Sequence, residues 1–374
     1  MEKKIKVLIT SGIFPPEIGG PATYAINLCR ELRDLGCEVK IITYGDGIMA
    51  EGVSAVKRNQ NILSRYIKFF LLAWRLSSWA DIVYTLDLMS AGLPTTLAAK
   101  IKKKKVIFRT GGDFLWEKAC QRGWSALPLS KYYESPKNLT EKALIILCHW
   151  ILNKIDLVIF STALQANIYQ KYFGVSFEKI GIIQNALPTI NYQKKNNIFS
   201  GNIIFVGRLV KLKNLDKLIR VFGKTKDIGV KLLIFGEGPE RKNLEKLVES
   251  LRLEERVKLP GSISQNELES VVGNSRFMIL PSLTEISPNL ALETISINKP
   301  IILTQEVGLS PELIAGLVTI NPLSEEDIKE KIEYLLNDAN LEAYAEKLLL
   351  SHIHKREWHD VAKEHLDIFQ TIIK

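Results

Sequence analysis

Short runs of β-branched and aliphatic residues alternate along the chain with longer stretches in which apolar positions recur every three or four residues. The short runs predict strands over 6–10, 38–43, 81–85, 106–109, 157–160 and 180–183, then over 202–206, 231–235, 257–259, 277–280, 300–303 and 317–320. The periodic stretches predict amphipathic helices between them, among them 22–35, 214–222 and 240–251. Strands separated by helices imply parallel sheets covered on both faces, an α/β class. The polar stretch 187–201 is the one sustained gap in apolar periodicity between the two series, so the interdomain linker is expected there. This gives two doubly wound, Rossmann-like domains, 1–190 and 191–374, with the last helix free to pack back on the first. Ligands bind outside the carboxyl ends of such strands, so the two domains are expected to face across a cleft that holds the active site.

A length of 374 residues agrees with two domains, and 46% hydrophobic with 24% charged residues excludes disordered and coiled-coil classes. Charge is uneven. Residues 1–190 hold 25 Lys and Arg against 15 Asp and Glu, a net +10, whereas 191–374 hold 25 against 26, a net −1. Such asymmetry suits an anionic partner of the first half, or a basic surface without one. The longest apolar stretch, 143–152, is interrupted by His149 and falls short of the roughly 20 residues a membrane-spanning helix needs. The start reads as a first strand rather than a signal peptide, which predicts a cytoplasmic protein. Four scattered cysteines without metal or disulfide spacing read as reduced core thiols.

Three segments carry chemistry. Gly19 and Gly20 stand where the first strand turns into a helix, so backbone N–H groups could cradle a phosphate; a tight turn with positive φ is the other reading. In the second half a strand runs into Gly207-Arg208, with Lys213 five residues later, a guanidinium and an ammonium suited to a diphosphate but also to a solvated helix start. Glu285 and Glu293 flank a predicted helix start at which Ser287 would cap and Pro288 take the first position. The N–H groups of Asn289 and Leu290 would then face the ligand, with carboxylates for sugar hydroxyls, although such a pair also arises by chance.

The order of these features, with Phe235-Gly236-Glu237-Gly238-Pro239, Pro260-Gly261-Ser262 and Pro281-Ser282 leading into the glutamate pair, resembles retaining glycosyltransferases of family 4, which have the GT-B fold. The resemblance implies that Arg208 and Lys213 hold the donor diphosphate, Glu293 the nucleotide ribose, Glu285 the donor sugar, and Gly19 and Gly20 the donor phosphates from the other domain. Gly236, Glu237, Ser262, Asn289 and Leu290 complete the expected donor site. It also implies donor binding by the C-terminal domain and acceptor binding by the N-terminal one. The chain departs from the family at Ile286-Ser287-Pro288, Asn298-Lys299 and Val307-Gly308, around the donor sugar and acceptor, and has no histidine before His149. At the strand exit Arg109-Thr110-Gly111-Gly112-Asp113, the carboxyl of Asp113 is the group available to the acceptor, or else a loop cap.

The expected activity is transfer of a hexosyl group from a nucleoside-diphosphate sugar to an acceptor hydroxyl, with retention, in cell-envelope polysaccharide or glycolipid synthesis. A non-catalytic GT-B partner, a glycan-binding protein and a sugar-nucleotide epimerase are the alternatives, the last weakened by the missing histidine. No cofactor is expected: no D-x-D occurs, and the basic pair with a helix N-terminus would supply the charge that a metal supplies elsewhere. The expected partners are the donor and a glycan or lipid-linked acceptor rather than nucleic acid. Residues 61–78 carry Asn61, Ser64, Arg65, Lys68 and Arg75 on one arc beside a wide apolar remainder, which suits either the inner face of an anionic membrane or an ordinary half-buried helix. Trp116, Trp124, Tyr132 and Tyr133 stack on an acceptor sugar or pack the loop on its own domain. His352, His354, His359 and His365 lack the spacing of one helix face and read as exposed.

Overall fold

The computed structural model describes residues 4–17, 19–47, 50–187, 201–226, 229–349 and 356–373. The expected linker therefore lies almost wholly outside the described residues. Two units form: Met1–Leu115, Pro136–Ala186 and Arg356–Lys374 make the first, Trp116–Ser135 and Leu187–Lys355 the second. Two segments depart from a single cut at residue 190: the return of the last helix was expected, the transfer of Trp116–Ser135 was not. The last helix, Trp358–Ile373, belongs to the first unit, and Trp116–Ser135 belongs to the second.

The first unit contains a parallel sheet of β1 (Lys6–Ser11), β2 (Glu38–Tyr44), β3 (Val53–Val56), β4 (Ile82–Thr85), β5 (Lys105–Thr110), β6 (Leu157–Phe160) and β7 (Ile180–Ile182), in the order β3-β2-β1-β4-β5-β6-β7. The second contains β8 (Ile203–Val206), β9 (Leu232–Phe235), β10 (Val257–Gly261), β11 (Phe277–Leu280), β12 (Ile301–Thr304) and β13 (Val318–Ile320), in the order β10-β9-β8-β11-β12-β13. Each sheet starts in its middle, winds to one edge and then fills the other side, so the order reverses between β1 and β4 and between β8 and β11. Those two switch points are where doubly wound sheets bind ligands. Every strand expected from the sequence is present within a few residues. β3 was not expected: it is a four-residue edge strand paired only with β2.

The apolar runs are continuous because both faces are covered; β4, β11 and β12 are buried at every position. On one face of the first sheet, Val361, Ala362 and Phe369 of the last helix join Tyr24, Ala25 and Leu28 in a single core. His365 lies in that core, wholly buried, with Nε2 2.8 Å from the Tyr84 hydroxyl and Nδ1 2.7 Å from the Val361 carbonyl. The expectation of an exposed histidine fails here because the helix that carries it docks into the first unit. His359 is half-exposed, and His352 and His354 lie outside the described residues. All four cysteines are buried and free, and burial pushes the Cys148 thiol up to about 12.

Candidate active site

The carboxyl edge of the second sheet ends in glycine on three adjacent strands. The N–H of Gly207 donates to the Phe235 carbonyl and that of Gly236 to the Gly261 carbonyl, so the strand exits are laced together. At Gly236, φ is +134°, and a Cβ would lie 1.9 Å from the Gly207 carbonyl oxygen, which no side chain could tolerate. The absence of side chains here brings backbone to the mouth of the switch point, beside Arg208, whose side chain is exposed.

Lys213 and Glu285 meet at that switch point although 72 residues separate them; Nζ lies 2.5 Å from Oε1. Two hydrogen bonds fasten their loops. Asn214, in the left-handed conformation at φ +57°, donates from Nδ2 to the Pro281 carbonyl at 3.2 Å, and the Leu283 N–H donates to the Leu212 carbonyl at 2.9 Å. Ser282 adds its hydroxyl to the same Glu285 oxygen at 2.5 Å. The Glu285 backbone is held too: its N–H donates to the Glu306 carbonyl, and its own carbonyl accepts from Gly308.

Glu306, Thr284 and Ser130 were not expected in the site. The Glu306 carboxylate accepts from the Thr284 hydroxyl at 2.8 Å, from the Ser130 N–H at 3.0 Å and from the Ser130 hydroxyl, while the Leu129 N–H donates to Thr284 Oγ1. Thus Trp116–Ser135 is clamped onto the Glu285 loop through a residue whose only sequence signal is its place just beyond β12. Within this segment the aromatics divide. Trp116 and Tyr132 are buried, with the Trp116 indole donating to the Leu127 carbonyl, whereas Trp124 is 38% exposed.

The helix after Glu285 is Asn289–Ser296, preceded by Pro288 as cap residue without a side-chain cap bond. Ser287 is therefore not the cap and Pro288 not the first helical residue, contrary to expectation; the Pro288 ψ of 52° leaves the helix one residue later. The Asn289 N–H donates to the Ser287 carbonyl, so it is turned into the chain, while Leu290 keeps a first-turn amide with no intrahelical acceptor. Glu293 lies in the second turn, and burial pushes its carboxyl up to about 7. Glu237 pairs with Arg241 at 2.8 Å, and Ser262 is exposed just past β10.

In the first unit, Gly19 precedes the Gly20–Asp34 helix with φ 165°, extended backbone, and Gly20 also lacks positive φ. The tight-turn reading of this pair is thereby removed; a Cβ on Gly20 would meet open space, and one on Gly19 only the tip of Ile13. Asp113 is wholly buried, close enough to Cys148 to raise that thiol, which argues against direct contact with an acceptor and for a role within the loop. Asp87 is the carboxylate at the switch point, just beyond β4. Its Oδ1 accepts from Ser90 Oγ and the Ala91 N–H, and Oδ2 is buried without a hydrogen bond, 2.9 Å from where a Gly12 Cβ would stand. Its sequence signal was an acid two residues past a strand end.

The predicted helix over 61–78 forms as Ile62–Ser77, with Asn61 capping Ser64. Its arc is not uniformly basic: Arg65 lies over the Tyr44 ring, while Leu63, Ile67, Leu71 and Trp74 are exposed beside exposed Lys68 and Arg75. Among the described residues no group of acidic, histidine and cysteine side chains could hold a metal ion, and no helix is long and apolar enough to cross a membrane.

The model of "Glycosyltransferase Family 4" matches residues 18–189 and that of "Glycosyl transferases group 1" matches 190–348. The chain is 26% identical over 382 aligned positions to the phosphatidylinositol N-acetylglucosaminyltransferase GPI3 subunit of Saccharomyces cerevisiae, covering 96% of this chain and 81% of that protein. An uncharacterized glycosyltransferase of Methanocaldococcus jannaschii is also 26% identical, with 90% of each chain covered. Among solved structures, Anabaena HepE in complex with UDP and glucose superposes with a TM-score of 0.74 over 98% of this chain and all of that one, at 15% identity. WaaG, a glycosyltransferase involved in lipopolysaccharide biosynthesis, gives 0.72 over 98% of this chain and 99% of that one.

Proposed function

The chain belongs to glycosyltransferase family 4 and has the GT-B fold, and on that premise we propose that it transfers a hexosyl group, with retention, from a nucleoside-diphosphate sugar to an acceptor hydroxyl. The observation that carries this reading is the Lys213–Glu285 pair beside the glycine edge at the β8/β11 switch point. A diphosphate entering there meets backbone, Lys213 and Arg208, which neutralise it without a metal. Glu285 accepts from donor-sugar hydroxyls once Lys213 turns to phosphate, and Glu293 accepts from the ribose. The acceptor oxygen bonds to the anomeric carbon as the carbon–oxygen bond to the diphosphate breaks on the same face. The acceptor proton passes to the leaving phosphate oxygen, and catalysis rests on positioning and charge stabilisation.

A lipid-linked acceptor used at the cytoplasmic side of a membrane fits the first unit, in cell-envelope polysaccharide or glycolipid synthesis. Two observations support it: the yeast relative's name joins an amino-sugar donor to phosphatidylinositol, and the exposed stripe of Leu63, Ile67, Leu71 and Trp74 is flanked by cations. The same relative is called a subunit, which favours as a second reading a chain that works within a complex. Purified protein incubated with UDP-, GDP- and ADP-hexoses and UDP-N-acetylglucosamine, with chelator present, should release nucleoside diphosphate from at least one donor, with the sugar anomer retained in the product. Turnover of none, in a protein that binds nucleotide, favours the non-catalytic reading. Sedimentation with anionic vesicles, lost on Leu63→Ser with Leu71→Ser, tests the membrane contact.

A further inference from the structure

Within the second unit, the wall formed by the Phe114–Arg122 helix end and the turn after it encloses with the core of the unit a cavity of about 460 Å³. It contains none of Arg208, Glu285 or Glu293. Its size lies in the range of small-ligand sites, roughly 300–1,000 Å³. Four charged side chains line it, Lys211, Asp216, Lys217 and Glu240, two of each sign, so the cavity as a whole carries no net charge. That balance disfavours a phosphate or any other free anion, and a divalent cation equally. Apolar cargo is disfavoured by the same four groups and by Asn243.

A neutral, hydroxyl-rich ligand fits what remains. The Asn243 amide donates to Glu240 Oε2 at 3.0 Å and keeps its own oxygen as an acceptor. Lys217 spends donors on the Pro322 and Leu323 carbonyls, which do not line the cavity, and keeps one donor further. Asp216 is exposed in the first turn of the Leu215–Gly223 helix, and Lys211 stands against the turn at Gly123. The lining thus offers both donors and acceptors, as the hydroxyls of a sugar require. Trp124 supplies the other half of saccharide chemistry: the C–H face of a pyranose is apolar and packs on an indole. Unlike Trp116, whose indole is buried and hydrogen-bonded, Trp124 is left 38% exposed at this cavity.

We propose that this cavity is a saccharide-binding site, separate from the donor cradle, that takes a neutral oligosaccharide stacked on Trp124. It is also coupled to that cradle. Lys211 and Lys213 belong to one single-turn 3₁₀ helix, Lys211–Lys213, and Leu283 both lines the cavity and bonds to Leu212, two residues before Glu285. An occupant therefore touches the turn that carries Lys213 and the loop that carries Glu285.

The test is tryptophan fluorescence and calorimetric titration of the full chain with maltose, cellobiose, lactose and chitobiose, and separately with UDP and inorganic phosphate. At least one disaccharide should bind below about 20 mM, and both Trp124→Ala and Asp216→Asn should weaken it about tenfold while changing UDP affinity less than about twofold. Arg208→Ala should do the reverse, weakening UDP and sparing the disaccharide, so the site and the donor reading can fail separately. Asp216→Asn is exposed and conservative, which covers the case in which Trp124→Ala unfolds the turn. No disaccharide binding by wild type, unchanged binding by both variants, or competition by phosphate overturns the proposal.

Discussion

Lys213 and Arg208 differ in what each does before any ligand arrives. Lys213 is paired with Glu285, whereas Arg208 is exposed, so Arg208→Ala should leave thermal melting unchanged and Lys213→Ala should lower it slightly. Both should lower kcat about a hundredfold, the loss of about 3 kcal/mol of charge stabilisation, and near wild-type turnover in the folded double variant would falsify the diphosphate assignment. Two titratable groups, the partly buried Glu293 and the wholly buried His365, give opposite pH slopes. The Glu293 carboxyl is raised to about 7, so the fold binds its proton more tightly than the unfolded chain; that stability is present below about 4.5 and lost as pH rises through about 7. Glu293→Gln should therefore melt higher than wild type at pH 8 while binding nucleotide more weakly. Burial depresses His365 to about 3, so stability is complete above about 6.5 and lost as pH falls toward 3. His365→Leu should flatten that acid limb without altering nucleotide affinity. A melting curve of either variant parallel to wild type across its window rejects the corresponding slope.

Loops rather than strands decide the site. The turn with Lys213 and the loop with Glu285 are joined by Asn214, which is buried, holds φ +57° and donates to two carbonyls, of Pro281 and Pro322. Asn214→Ala should cost about 2 kcal/mol through lost hydrogen bonds and backbone strain, read by chemical denaturation; Asn214→Gly should relieve the strain but not the bonds. Glu306 acts on Glu285 from one strand further along, with its carboxylate on Ser130 and Thr284 and its carbonyl on the Glu285 N–H. Glu306→Gln keeps the shape but replaces one acceptor by a donor. It should lower kcat about tenfold with nucleotide affinity intact, because Glu293 and Arg208 lie outside the clamp. Equal losses in kcat and nucleotide affinity would show instead that the clamp supports the whole unit.

For the whole molecule, the consequential feature is that the last helix returns to the first unit. Val361, Ala362, His365 and Phe369 are wholly buried there, and each apolar side chain of Val or Phe size contributes about 1.5–3 kcal/mol. Truncation after residue 349 should expose the core around Tyr24 and Tyr84 and unfold the first unit. Nucleotide binding by the second unit, whose core contains no residue of that helix, should persist. Limited proteolysis with UDP present distinguishes this from collapse of both units.

Periodicity was enough for the α/β class, for twelve of the strands and for the two-part division, because buried parallel strands and amphipathic helices write their neighbours into local hydrophobicity. The edge strand β3 escaped since a four-residue run half open to solvent has little such signal. Motif order was enough to draw attention to Arg208, Lys213, Glu285 and Glu293. Tertiary structure alone decided that Lys213 and Glu285 touch, that Glu306, Thr284 and Ser130 clamp them, that Asp87 rather than Asp113 stands at the first switch point, and that His365 is core. Each of those facts depends on which distant strand end lies beside which, and strand order is set by the packing of whole layers, which no local window of residues contains.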